Sequence, residues 1–293
     1  MLRIGIIGLS EGNGHPYSWS AIFNGFDKTK ECPFEVIPEY LGRQSFPKDF
    51  LSDLGKVTHI YTQDRNISEK VAEFARIENI VDRPEEMINN IDAVLLARDD
   101  AENHYEMALP FLKSGIPVFI DKPFALNLED ANKMLEKQQY DSQIFTCSSL
   151  RFAKELFLTS DEFKFTGKIH TVNASIMKKW STYSIHLLEP MIVNLPNRGR
   201  LIEVSRVKNS VHHVVNVSWE NTEAILTVTG DQYIPLEFNY LGANGEVKKT
   251  FSDTFSCFKS SLLAFVDQIN NQKTLINRHE TLELINIIEK GLL

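Results

Sequence analysis

The chain has 293 residues, 43% of them hydrophobic and 24% charged, enough for two globular domains and unlike a disordered or fibrous protein. A net charge of −8 gives no field that would draw in nucleic acid or an anionic membrane surface. No apolar run reaches the ~18 residues of a membrane helix, and Cys32, Cys147 and Cys257 form no CxxC pair, so reduced thiols in a cytoplasmic protein are expected.

Residues 2–8 read as a short buried strand whose apolar run ends in glycines and Glu11, unlike a signal peptide. Residues 26–56 carry Pro33, Pro38 and Pro47, fit no periodic pattern and look like an insertion. A second strand is predicted over 57–62, then a helix with Val71, Phe74 and Ala75 on one face. Pro84 stands where a helix begins, ahead of Glu85 and Glu86. Residues 92–97 and 117–120 are further strands, separated by a helix with Met107, Ala108, Phe111 and Leu112 on one side and Gly115 at its end. This alternation implies a parallel sheet covered on both faces.

Beyond about residue 150 the pattern changes. Strands at 169–175, 201–207, 213–217, 224–228 and 234–240 follow one another, and Asn244-Gly245 marks a hairpin. An open, mostly antiparallel sheet is expected there. Phe258, Leu262, Phe265, Val266 and Ile269 form one helical stripe, and residues 281–290 form another helix.

Four of the glycines, Gly5, Gly8, Gly12 and Gly14, fall in the first fourteen residues. A strand, a glycine-rich turn and then a helix is how dinucleotide-binding folds receive a pyrophosphate, because the main chain can approach the phosphates and the helix N-terminus offers N–H groups. The spacing departs from GxGxxG: Ser10 and Asn13 stand where glycines would, and Gly12 and Gly14 imply a longer loop ahead of Pro16. Ser10 could donate its hydroxyl to phosphate, whereas Glu11 must point away. An acid closing the second strand would take the adenosine ribose hydroxyls. With 26–56 as an insertion that acid is Asp64; Glu39 is the alternative if residues 34–37 are the strand. A carboxylate there favours NAD, and neighbouring Arg65 leaves NADP open. The plainer reading of Asp64 is a helix cap.

Asp121-Lys122-Pro123 follows the strand at 117–120, at the end where parallel sheets place their ligands. A lysine there can bond a substrate hydroxyl and stabilise a developing alkoxide, and the proline, if cis, would present it rigidly. The arrangement resembles the Gfo/Idh/MocA family of NAD(P)-dependent oxidoreductases. The resemblance rests on Arg3-Ile-Gly-Ile-Ile-Gly8, on Ile91-Asp-Ala-Val-Leu-Leu-Ala97, on His104, and on Gly115 through Lys122-Pro123, where Asp121 replaces the family glutamate. Leu150-Arg151-Phe152 looks like the arginine–aromatic pair opening the family's second domain, and Gly167-Lys168-Ile169 like its glycine–x–isoleucine.

The resemblance implies a Rossmann-type domain over 1–123 and an α/β domain for substrate binding and oligomerisation over 124–293. It implies cofactor contacts from Gly8, Ser10, Gly12, Asn13, Gly14, Asp64, Arg65, Ala97 and Lys122. It also implies catalysis by Lys122 and His186, the latter as general base and Lys122 orienting the oxygen. In Thr182-Tyr-Ser-Ile-His186-Leu-Leu-Glu189, His186 and Glu189 match the family's helix motif, but Thr182 replaces its aspartate. The expected reaction is hydride transfer between NAD or NADP and a secondary alcohol of a sugar, cyclitol or sugar derivative. A nucleotide-sensing regulatory or scaffold protein on the same fold is the alternative, and reduction of a non-sugar substrate is a third.

His104 reads as a packing or cap residue, and His212-His213 lacks the spacing of a metal site, so no metal is expected. Lys178, Lys179, Arg198, Arg200 and Arg206 read as a solvated surface or as a basic rim to the substrate pocket. The outer face of the second sheet is a natural surface for a dimer or tetramer.

Overall fold

The computed structural model describes residues 1–293. In chain order it contains β1 (Leu2–Ile7), α1 (His15–Asn24), α2 (Val36–Gly42), β2 (Gly55–Tyr61), α3 (Arg65–Ala75), β3 (Asn79–Ile80), β4 (Ala93–Leu96), α4 (His104–Lys113), β5 (Val118–Ile120), α5 (Leu128–Leu135) and β6 (Ile144–Thr146). There follow α6 (Ser160–Thr166), β7 (Ile169–Ile176), α7 (Trp180–Asn194), β8 (Leu201–Arg206), β9 (His213–Trp219), β10 (Glu223–Val228), β11 (Glu237–Gly242), β12 (Glu246–Thr250), α8 (Thr254–Asn271) and α9 (Arg278–Leu292). Two compact units result: Met1–Ala125 with Asn132–Cys147 and Thr254–Asn277, and Leu126–Ala131 with Ser148–Asp253 and Arg278–Leu293.

The first unit holds an all-parallel sheet of order β3-β2-β1-β4-β5-β6, the Rossmann order. The four predicted strands are present. The two- and three-residue strands β3 and β6 are too short to show a period. Ile7 pairs with Tyr61 and Leu96, and Leu96 with Ile120. The residues that follow, Thr62, Gly8, Ala97 and Asp121, therefore form one row just past the carboxyl edge of the sheet.

Every residue of α1 from Pro16 to Asn24 is buried, which a helix packed on one side only would not show. The 26–56 segment explains this. It folds into α2 and irregular chain, α2 and α8 pack on α1, and the Tyr40 hydroxyl donates to Ser18 Oγ. Glu39 lies in α2, so the strand that would have made it the ribose acid does not form.

The tail helix α8 belongs to this first core. Its Phe265 ring lies 5.6 Å from Phe119 and 5.7 Å from Phe145, while Trp19 stacks on Phe119 at 4.8 Å. Gln268 donates to the Ser142 and Ile144 carbonyls at 3.0 and 2.9 Å, tying α8 to β6.

The second unit holds a mixed, mostly antiparallel sheet of order β12-β11-β7-β10-β9-β8, with β7 and β10 parallel. Alternation sets its inner face: Val172, Ala174, Val215, Val217, Leu226 and Tyr240 are buried. The hairpin at Asn244-Gly245 joins β11 to β12. One strand begins later than its pattern: β11 starts at Glu237 rather than 234. Trp180 packs inside, donating from Nε1 to the Ile288 carbonyl of α9 at 3.0 Å. No helix of the chain is long and apolar enough to cross a membrane.

Candidate dinucleotide turn and histidine site

The glycine turn joins β1 to α1, and three close packings fix its shape. A Cβ on Gly8 would lie 2.3 Å from Pro16 Cγ, and one on Gly14 would lie 2.6 Å from Ile37 and 2.9 Å from Phe34. Both positions therefore exclude a side chain, and the insertion buttresses the turn directly. Gly12 differs: its φ is +76°, with nothing within 4 Å of an added Cβ. The turn is open at that point.

Two strand-end carboxylates brace the loop. Ser10 Oγ donates to Asp99 Oδ1 at 2.5 Å and accepts the Asp99 N–H at 3.1 Å. Asn13 Nδ2 donates to Asp121 Oδ2 at 3.0 Å, and Asn13 Oδ1 accepts the His15 N–H at 2.8 Å. His15 Nδ1 lies 2.6 Å from Asp121 Oδ2. An ionised carboxylate only accepts, so that nitrogen carries the proton. The two substitutions that break the GxGxxG spacing are thus committed to the protein's own carboxylates. The first turn of α1 has given up donors as well, since Pro16 has no N–H and that of His15 is taken.

Lys122 is 4% exposed. Its Nζ lies 3.2 Å from Asp99 Oδ2, its N–H donates to Asp121 Oδ1 at 2.8 Å, and its bond to Pro123 is cis. Burial pushes the Asp121 carboxyl up, but His15, Lys122 and Asn13 together hold it below the ordinary carboxylate range. Beside it, Arg98 makes a two-pronged pair with Asp100 and reaches Gln63 Oε1 at 2.9 Å; Gln63 in turn accepts the Leu9 N–H at 3.1 Å. Burial raises the Asp100 carboxyl, yet Arg98 and Asn103 hold it low.

Asp64 follows β2 and caps α3, accepting the Asn66 N–H at 2.8 Å, and its side chain is exposed. The helix-cap reading of this residue is the one its geometry shows. Arg65 is paired with Asp82 at 2.5 Å and Glu69 at 3.3 Å. Ala97 is buried and donates its N–H to the Ile7 carbonyl at 2.8 Å. The open main chain at Gly12 and the exposed Asp64 carboxylate fit a dinucleotide. The carboxylates of Asp99 and Asp121 are engaged within the protein, the first by Ser10 and Lys122 and the second by Asn13 and His15.

In the second unit His186 lies on α7, half-buried, with Nδ1 2.7 Å from Ser148 Oγ. Glu189, one turn on, is 3% exposed and pairs with Arg151 at 2.6 Å; Arg151 also pairs with Glu280. Burial raises the Glu189 carboxyl above its usual range despite Arg151. Arg151 and Glu189, both singled out in the sequence, thus meet. Ser148 is a partner that no motif announced.

The remaining residues have structural roles. His104 is fully buried, its ring nitrogens 2.8 Å from the Arg98 carbonyl and 3.2 Å from that of Phe124. His213 stacks on Trp180, and no group of three or more His, Cys, Asp or Glu is placed to hold a metal. Arg198 pairs with Glu283 at 3.0 Å and Arg200 with Glu220 at 2.6 Å, so neither is an uncompensated rim charge.

Residues 2–148 match the profile of an oxidoreductase family, Gfo/Idh/MocA, with an NAD-binding Rossmann fold. No curated protein matches the chain. Solved structures share the whole fold. Myo-inositol 2-dehydrogenase from Lactobacillus plantarum superposes with a TM-score of 0.71 at 15% identity, covering 99% of this chain and 97% of that one. A dehydrogenase (MviM) from Clostridium difficile gives 0.71 at 15%, covering 99% and 98%. Apo scyllo-inositol dehydrogenase from Lactobacillus casei gives 0.69 at 15%, covering 99% and 96%.

Proposed function

Because the chain belongs to the Gfo/Idh/MocA oxidoreductase family with its NAD-binding Rossmann fold, we propose that it is a dehydrogenase that exchanges hydride between a nicotinamide dinucleotide and a secondary alcohol of a sugar, cyclitol or sugar derivative. The observation that carries this reading is Lys122: a buried ammonium at the carboxyl end of β5, in the first unit with the glycine turn and held by Asp99. When bound, the nicotinamide supplies a hydride acceptor or donor. The main chain at Gly8, Gly12 and Gly14 and the side chain of Asp64 would hold the dinucleotide, with Ala97 and Lys122 beside them. Ser10 and Asn13 would act by bracing the turn. NAD is favoured over NADP, because Asp64 repels a 2′-phosphate and Arg65 is already paired with two acids.

Lys122 is assigned the orientation and charge stabilisation of the reacting oxygen, and His186 a second polar contact to it. The outer face of the second sheet, where Ile225 is 42% exposed, is assigned to self-association as a dimer or tetramer. The commitments of Ser10 and Asn13, together with Thr182, favour one rival: a nucleotide-sensing protein with reduced catalysis.

Native mass spectrometry with NAD and NADP tests the cofactor and the assembly together. The expected result is a bound dinucleotide on an even-numbered oligomer; an absence of binding at millimolar nucleotide overturns the cofactor assignment. Lys122→Ala is expected to lose far more turnover on myo-inositol, scyllo-inositol and glucose than it loses in nucleotide affinity. Unchanged turnover would remove Lys122 from the chemistry, and no turnover by the parent protein on any polyol would favour the sensor.

A further inference from the structure

The partner this chain supplies to the His186 ring is a hydroxyl, that of Ser148, which can either donate or accept. Ser148 is fully buried, and its Oγ has two polar neighbours. One is the Leu150 N–H at 3.2 Å, which Oγ accepts as the cap of the short turn Ser149–Phe152. The other is His186 Nδ1 at 2.7 Å. The Leu150 contact occupies a lone pair, so the hydroxyl proton has one acceptor in reach, the imidazole nitrogen. Leaving a buried hydroxyl proton without an acceptor is unfavourable.

The placement is held from two sides. Glu189, three residues along α7 from His186, accepts the Ser148 backbone N–H and pairs with Arg151 of the same turn at 2.6 Å. The helix that carries the imidazole therefore also anchors the hydroxyl that meets it.

We propose that Ser148 is a positioning residue that donates its hydroxyl to Nδ1 and keeps neutral His186 in the tautomer with its proton on Nε2. His186 then serves as a hydrogen-bond donor to the substrate oxygen, not as the general base that the sequence resemblance implies. Resting on the dehydrogenase reading, this assigns the histidine electrostatic stabilisation of negative charge on that oxygen, and leaves the proton to Lys122. In reduction the Lys122 ammonium protonates the developing alkoxide; in oxidation Lys122, having first released that proton to solvent, takes the alcohol's proton as the neutral amine. A neutral imidazole whose Nε2 already holds a proton cannot accept another there.

Long-range proton–nitrogen correlation spectra of the full-length protein labelled with 15N-histidine test this without any substrate. His186 is identified by the signals lost in His186→Gln. At a pH where the ring is neutral, the expected pattern is that of the Nε2–H tautomer. Ser148→Ala is expected to give a mixture, and Ser148→Asp to convert the ring to Nδ1–H, because a carboxylate only accepts. A wild-type ring in the Nδ1–H form, or a Ser148→Ala spectrum identical to wild type, overturns the proposal.

Turnover on the polyol panel separates donor from base, since glutamine keeps an N–H donor but cannot take up a proton. His186→Ala is expected to lose about 10²–10³-fold in kcat, and His186→Gln to recover at least tenfold of that loss. Equal losses in the two variants overturn the donor role. Wild-type rates in both would remove His186 from the site altogether, a failure of the underlying reading that leaves the tautomer result standing.

Discussion

Asp121 shows how charge is handled at the residue scale. It is 1% exposed, yet its carboxyl lies below the ordinary range because His15, Lys122 and Asn13 outweigh the effect of burial. A depressed carboxyl stabilises the fold fully above its unfolded pKa, and that contribution disappears as the pH falls through the folded value. Asp121→Asn should therefore lose about 3–5 kcal/mol near neutral pH, the usual cost of removing one partner from a buried pair. In urea unfolding the gap from wild type should narrow as the solution is acidified below the carboxylate range. A gap independent of pH would show that the Asp121 carboxyl is not held below its ordinary range. None of this network was legible in the sequence. Lys122, Asp64 and the glycines announce themselves by position after strands, but Ser10 and Asp99 are 89 residues apart and His15 and Asp121 are 106 apart. Only the parallel register brings such pairs into one row.

Among the elements, the clearest patterns are those in which burial follows one period. The strands β1, β2, β4 and β5 and the helix α3 with Val71, Phe74 and Ala75 buried match their expected positions. The 26–56 segment resisted because α2 offers only Ile37 and Leu41 as buried apolar positions, too few to show a helical repeat. The stripe on α8 was visible, but its destination was not, since periodicity identifies a buried face and says nothing about which core receives it. Phe265→Ala tests that destination. It should cost about 3–5 kcal/mol, as for other buried aromatics, and hydrogen exchange should show the loss in β5 and β6. Losses confined to the second unit would contradict the packing of Phe265 on Phe119 and Phe145.

For the molecule as a whole, the two-domain reading identified the right kinds of sheet, parallel and then mostly antiparallel. The units, however, are not two consecutive stretches of chain. The path enters the second unit for residues 126–131, returns for 132–147, leaves at 148 and comes back for 254–277. A fragment covering residues 1–147 should accordingly fail to give a dispersed amide spectrum, because the aromatic surface of Trp19, Phe119 and Phe145 lies bare. Fusing residues 254–277 through a flexible linker should restore dispersion and resistance to protease. A well-folded fragment without that segment would show that α8 is dispensable.

The return of α8 also bears on how the protein is made. Domains generally fold as units, N-terminal first, while the ribosome is still working, but here the sheet that would bind nucleotide is synthesised long before its last helix. During translation of the intervening hundred-odd residues the aromatic face that α8 will cover has no partner helix. Biosynthesis thus completes the second unit's sheet before the first unit's core, reversing the order in which they are encoded.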